Sequence, residues 1–436
     1  MAEPSPFTLN WLRRARSYWP YPASGSSSPP AVLNVVSSGV RAATRAVWSL
    51  FVPYLLSIDA YGFYAVFQTT GLAVAQASIL GTPQIILREP NRELPMAGFF
   101  LHSVGIAALV LLIMGFTVAH HDWMFYTLVA LSCISVILYM QLTMRAKSHF
   151  QFGRVLRSES TGTAVFGTAI LLIALMASFF GKSWLDYRIM GAVEILATGA
   201  IVAALLLGPG GRLTHRERGV REVREYLPSV YSVGVVVLFD VVIFRRLEVY
   251  FLQESPAGLQ GVAVFGLSAQ IFNMVLLVPS AMIEAWGPTF ARSFRSGPSE
   301  FAQTVQQKLG KYRKLYVLII LGTLVLTPLL TATLFRKYQA WTWYITAFVL
   351  TRVVCSYAGF HSATLYSSRR ERLLYGPAFA GAAISIASNV LLTLRWGVPG
   401  AVVAYALTQF TVAASTMAVA WWSRRPPAPM SPETVP

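Results

Sequence analysis

Residues 95–118 read PMAGFFLHSVGIAALVLLIMGFTV. The run carries no Asp, Glu, Lys or Arg over its 24 residues. At about 1.5 Å rise per residue, a helix of that length crosses a hydrocarbon core of about 30 Å. A bilayer offers no water to backbone N–H and C=O groups, so a spanning segment must satisfy them within itself. A run of this kind is therefore a membrane-spanning helix.

Similar runs recur along the whole chain. They place spans at about 31–55, 61–86, 95–118, 122–144, 160–180, 187–208, 228–252, 259–283, 312–335, 338–361, 373–394 and 398–422. The expected fold class is an all-α polytopic membrane protein with about twelve transmembrane helices. Composition agrees: 55% of the 436 residues are hydrophobic and 12% are charged, against roughly 25% charged in soluble domains. Mean hydropathy is +0.56. Soluble α/β and all-β classes are excluded.

The net charge of +17 has a membrane explanation, because cytoplasmic loops of membrane proteins collect Lys and Arg. With the N-terminus inside, 25 of the 35 Lys and Arg fall in inside segments. The outside loops hold five: Lys182, Arg188, Arg336, Lys337 and Arg395. That imbalance fixes both termini on the cytoplasmic side. No basic helix interleaved with aromatics and no Gly-rich phosphate loop is present, so no nucleic acid is expected as a partner. Cys133 and Cys355 both fall in apolar runs without ligand spacing, so neither a disulfide nor a metal site is expected, and no cofactor. Residues 1–30 and 423–436 are polar or Pro-rich and read as disordered cytoplasmic tails.

The chain also looks duplicated. Gly62-Phe-Tyr-Ala-Val-Phe opens span 2 and Gly261-Val-Ala-Val-Phe opens span 8. Gly191-Ala-Val and Gly400-Ala-Val stand near the starts of spans 6 and 12. Two lobes of six helices, 31–208 and 228–422, follow, joined by the basic interlobe linker 209–227. Internal repeats with a site between halves are a transporter hallmark.

The stretch Tyr61-Gly-Phe-Tyr-Ala-Val-Phe, followed by Leu80-Gly-Thr-Pro-Gln-Ile-Ile-Leu-Arg88, resembles the start of polysaccharide flippases of the Wzx type. These form a branch of the multidrug/oligosaccharidyl-lipid/polysaccharide exporter (MOP) superfamily. Arg246-Leu-Glu-Val-Tyr-Phe-Leu, then Gly261, Pro279 and Pro288, and later Gly397-Val-Pro-Gly-Ala-Val-Val-Ala404, are similar to the family's seventh, eighth and twelfth helices. Glu248 stands where the family more often has Asp, and Ala263 where it more often has Tyr. The resemblance covers about residues 31–422. It implies a V-shaped pair of lobes with an alternating-access cavity between them. It also implies transfer of undecaprenyl-diphosphate-linked oligosaccharide from the cytoplasmic to the periplasmic leaflet of a bacterial inner membrane. O-antigen, capsule or exopolysaccharide synthesis is the setting, beside a polysaccharide polymerase and other export proteins.

Charges inside spans are the most informative residues, since each costs about 2.5–3.5 kcal/mol at mid-membrane on insertion scales. Asn34, Ser38, Arg41 and Arg45 in span 1 are spaced 4, 3 and 4 and so share one helix face. Two readings are open: capture of the substrate diphosphate by the arginine forks, or neutralisation by Asp240 or Glu248. Span 7 carries Asp240, Arg245 and Glu248. Arg245 and Glu248 are an i,i+3 pair that can satisfy itself, and Glu248 is expected near water at the outer end. Asp240 is deeper, as an ion-coupling site or an interlobe salt-bridge partner. Arg352 lies deep in span 10, as a second anion contact or an ion-pair member. Arg88 sits at the cytoplasmic interface, for substrate entry or for snorkelling to lipid headgroups. Glu284 ends a polar line of Gln270, Asn273 and Ser280, which suits a cavity wall. Glu194 is expected to be interfacial and His102 a hydrogen-bonded core residue.

The competing readings are a multidrug or small-solute exporter on the same fold and a membrane glycosyltransferase or polymerase. The outside loops hold only scattered acids, and no carboxylate pair for acid–base work appears. An enzyme is therefore not expected.

Overall fold

The computed structural model of the protein describes residues 50–88, 94–117, 123–148, 151–182, 184–207, 223–239, 244–368 and 370–423, together with most of their side chains. Every regular element among them is helical. The first half contributes α1 (Ile58–Ile79), α2 (Thr82–Arg88), α3 (Met96–Thr117), α4 (Trp123–Ser148), α5 (Phe152–Phe180) and α6 (Tyr187–Leu207). The second half contributes α7 (Val223–Leu238), α8 (Phe244–Gln253), α9 (Gly258–Val275), α10 (Leu277–Ser296) and α11 (Pro298–Thr333). It ends with α12 (Thr342–Ser356), α13 (Ala358–Ser367), α14 (Tyr375–Ser388) and α15 (Val398–Trp422).

Nine helical segments among the described residues are long and apolar enough to cross a membrane. The chain is a multi-pass membrane protein. Three expected spans lie outside the nine. Span 1 is described only over 50–55, which are helical. Span 7 is divided into α7 and α8, with 240–243 outside the described residues. Span 2 is α1, too polar for a lipid-facing helix because of Gln68, Thr69, Thr70 and Gln76. Fourteen of its 22 residues are buried, so protein rather than lipid covers it. Its start is capped by the Ser57 hydroxyl, which accepts from the Ala60 N–H at 3.2 Å.

Helices run beyond the expected spans at the ends where cations gather. α5 begins at Phe152 rather than near 160. Its first turns carry Arg154, whose guanidinium donates to the carbonyls of Leu205 and Leu206 and so closes the C-terminal end of α6. The stretch 284–311, expected as a loop, is helix broken only at Gly297, whose φ is 141°. A hydropathy reading sees the lipid-facing part of a helix and misses its polar continuation.

The packing is inside-out relative to a soluble bundle. On α11, Thr323, Thr327 and Thr331 are buried at four-residue spacing, while Leu318, Leu321, Leu324 and Val325 face outward. Lipid is as apolar as leucine, so small and polar residues fill the helix contacts. The largest core joins Tyr61, Tyr64 and Phe67 of α1 to Val262, Phe265 and Leu267 of α9, Phe348 of α12 and Tyr405 of α15. The two halves thus meet along α1, at both of its ends. At one end a Cβ on Gly62 would stand 2.4 Å from the Leu259 carbonyl oxygen. At the other a Cβ on Gly81 would stand 2.6 Å from the Val230 carbonyl oxygen.

Candidate functional site

A cavity of about 290 Å³ lies within the second half, between α7 and α9–α15. Two breaks in helices shape it. α9 gives way to α10 at Leu276 and α12 gives way to α13 at Tyr357, while Pro279, in the first turn of α10, lines the cavity. Interrupted helices free backbone groups only where protein or water takes them up.

Arg352 of α12 lines this cavity and is 8% exposed. It is the one Asp, Glu, Lys or Arg among the residues that wall it. Its Nη1 donates to Oε1 of Gln409 on α15 at 2.6 Å. The guanidinium lies over the Phe272 ring, 5.7 Å from its centroid. One turn below, the Tyr316 hydroxyl donates to the Val353 carbonyl at 2.8 Å and also hydrogen-bonds the Ser356 hydroxyl. Tyr312 stacks against Tyr357 and tilts against Tyr316. The site therefore offers a fixed cation, hydroxyls and ring faces.

Glu248 lies close by and corrects an expectation. It is fully buried, at 0% exposure, rather than near water. α8 is tucked against α9, α15 and the π-helical turn Asn389–Thr393, so the end of the segment is not at the surface. Neither oxygen of Glu248 has a partner of good hydrogen-bond geometry among the described residues, and Asn389 is the side-chain donor nearest to making one. Arg352 and Asn389 are the neighbours whose fields act on it. Asn389 is itself engaged, donating to the Ser385 carbonyl at 2.9 Å and accepting from the Thr393 hydroxyl at 2.7 Å. Wide turns of this kind collect at functional sites.

No family model matches the chain, and no curated protein matches it in sequence. Solved structures do match. The outward-facing conformation of a multidrug resistance MATE family transporter of the MOP superfamily aligns with 91% of this chain and 95% of its own, at 11% identity and TM-score 0.63. A MOP superfamily transporter from Pyrococcus furiosus, described as having a binding pocket of reversed polarity that suggests a different function, aligns with 91% and 94% at 11% identity and TM-score 0.62. A mutant Vibrio cholerae MATE transporter aligns with 90% and 94% at 13% identity and TM-score 0.58. The chain shares its fold with these structures. At these identities the likeness is one of fold.

The MOP fold brings a second polar cluster together, across the two halves. Glu194 of α6 accepts from the Tyr64 hydroxyl at 3.0 Å and from Gln68 Nε2 at 3.2 Å, so it is tied into the bundle rather than interfacial. Gln68 Oε1 in turn accepts from Gln270 Nε2 of α9 at 3.3 Å. The Thr70 and Tyr250 hydroxyls meet at 3.1 Å. Interhelical bonds inside membranes average about 0.6 kcal/mol and reach about 2. Tyr64→Phe is accordingly expected to cost about 1 kcal/mol in a thermal melt in detergent. Gln68→Leu strips both Glu194 and Gln270 of a partner and is expected to cost about 2–3 kcal/mol.

Of the residues expected from sequence, Arg352 and Glu248 come near enough to interact electrostatically. Asn34, Ser38, Arg41, Arg45 and Asp240 lie outside the described residues. Arg88 ends α2, Arg245 is in the first turn of α8 and Glu284 is on α10, with their side chains outside the described atoms. His102 hydrogen-bonds the Tyr231 hydroxyl through Nε2 at 3.2 Å, as expected, but it is half-buried rather than a core residue. Cys133 and Cys355 are both free and buried. Sequence reasoning passed over Gln409, Tyr316 and Phe272. Gln409 had a signal: an amide eleven residues past the start of an apolar span, at mid-membrane depth.

Proposed function

We propose that the protein is a transporter that flips an anionic lipid-linked oligosaccharide, carried on undecaprenyl diphosphate, from the cytoplasmic to the outer leaflet of a bacterial inner membrane by alternating access. The observation that carries the reading is Arg352, a permanent cation in a cavity whose other described walls hold no acid. A guanidinium matches phosphate or carboxylate oxygens in a fork and stays charged at every relevant pH. Arg41 and Arg45 extend the same chemistry to the first span, as the handles that draw the diphosphate from the inner leaflet. Both termini lie in the cytoplasm on this reading, the halves 31–208 and 228–422 move against each other, and Asp240 or Glu248 couples transport to an ion.

A multidrug or small-solute exporter is the second reading, favoured by what the similar MATE structures are said to do. Arg352 weighs against cationic drugs through like-charge repulsion. The pair Arg41→Ala and Arg45→Ala is expected to insert normally in the membrane and to abolish rescue of a flippase-deficient strain. Normal polymer export by that double variant would overturn the capture role. Transport in proteoliposomes indifferent to both pH and sodium gradients would remove Asp240 and Glu248 as coupling sites.

A further inference from the structure

We propose that Arg313 and Lys314 of α11, with the apolar stripe that continues from them, form a binding site for a phospholipid of net negative charge.

α11 is far longer than a membrane is thick. Its 36 residues rise about 54 Å, against a hydrocarbon core of about 30 Å. Exposure shows where the core begins. From Pro298 to Lys314 no exposed residue is a large hydrophobe, whereas from Val317 to Leu329 every exposed residue is Val or Leu. The apolar surface ends at Leu334, and the exposed cations Arg336 and Lys337 follow. Val317 to Leu334 rises about 26 Å, close to the thickness of the core. The change at the first end takes less than one turn, so Arg313 and Lys314 stand at the level of the lipid headgroups.

Gln307, Lys311, Lys314, Leu318, Leu321 and Val325 are exposed at spacings of 4, 3, 4, 3 and 4, and so form one stripe along the helix. Helical side chains lean toward the N-terminus. The Lys314 ammonium therefore reaches out of the hydrocarbon, while Leu318, 67% exposed, lies in it. Arg313 flanks the stripe. Neither Arg313 nor Lys314 forms an ion pair among the described residues, and Glu300 is the sole acid of α11. A guanidinium fork takes two oxygens of a phosphate, and an ammonium takes a third. A zwitterionic headgroup brings an ammonium of its own to these cations and gains less. A soluble phosphate leaves Leu318 and Leu321 uncovered. An anionic headgroup on acyl chains satisfies both parts of the stripe. The inward face of the same turns carries Tyr312 and Tyr316, which line the cavity, so lipid and cavity share one stretch of helix.

The test uses the full chain in detergent micelles with phosphatidylglycerol that carries a photoreactive diazirine on an acyl chain, the labelled peptides being mapped after illumination. Label is expected on 317–325. Unlabelled phosphatidylglycerol is expected to displace it at least about fivefold better than phosphatidylcholine of the same chains, the scale of one cation beside an anionic headgroup. The double variant Arg313→Gln, Lys314→Gln is expected to weaken phosphatidylglycerol there about 25-fold, roughly fivefold for each cation. Label on the exposed α5 residues Leu171 and Leu175 is expected to stay unchanged. Equal displacement by the two lipids in the wild-type protein overturns the proposal, and that result needs no variant to fold. Affinity within twofold of wild type in the double variant overturns it too, as does an equal loss of label on α5. Inorganic phosphate that displaces the label as well as phosphatidylglycerol does marks a site for a free anion and overturns the lipid assignment.

Discussion

Arg352→Ala is expected to abolish export of polymer in a flippase-deficient strain while the protein still folds and inserts. A charged hydrogen bond contributes about 1.5–3 kcal/mol, which is a factor of about 10 to 100 in affinity. Stability moves in two directions. The variant takes the Arg352 donor from the Gln409 oxygen and uncovers Phe272, but it also removes a cation from the membrane interior. The melting temperature is therefore expected to change little. Arg352→Lys keeps the charge and loses the fork, so it should rescue partly. Full export by Arg352→Ala would contradict the site.

The second large effect is mechanical. Gly62→Leu is expected to destabilise the protein by about 3 kcal/mol, the upper end of ordinary overpacking, and to stop transport. The obstacle to a side chain at position 62 is the Leu259 backbone, 2.4 Å from the Cβ, and backbone does not swing aside. α1 and α9 must separate, and with them the seam between the halves. Gly105→Ala is the matched control. It sits in α3 with nothing within 4 Å of its Cβ, and helix propensity alone predicts a gain of about 0.5–1 kcal/mol. Thermal melts of the two variants in one detergent separate crowding from propensity.

Much of this architecture was legible because the bilayer leaves so few choices. A charge-free run of 24 residues has one structural meaning in lipid. The four glycines that suggested a duplicated chain also prove to be sites of close approach. A Cβ at Gly62, Gly191, Gly261 or Gly400 meets its nearest neighbour, outside its own helix backbone, at 2.4, 2.9, 2.8 or 2.0 Å. Such motifs are readable because only hydrogen fits there.

The candidate site was legible in part, and the division has a physical basis. Arg352 stood out because charge is expensive in a membrane. Gln409 did not, because a neutral amide costs far less and its partner is 57 residues away. Glu248 was misplaced for another reason. Distance along a segment measures depth only if the segment crosses the membrane unbroken, and α8 is a short piece of ten residues held under α9 and α15. The Glu194–Tyr64–Gln68–Gln270 chain joins three helices from two halves. No local pattern announces such a chain.

On the proposed function, the protein moves an anionic lipid-linked oligosaccharide between leaflets. The most direct measurement is leaflet transfer in proteoliposomes: undecaprenyl-diphosphate-linked oligosaccharide placed on one side, and its arrival on the other read with a membrane-impermeant sugar-modifying reagent. Transfer by the wild-type protein and background levels for Arg352→Ala are expected. No transfer of that lipid, together with export of a cationic dye by the same vesicles, would contradict it.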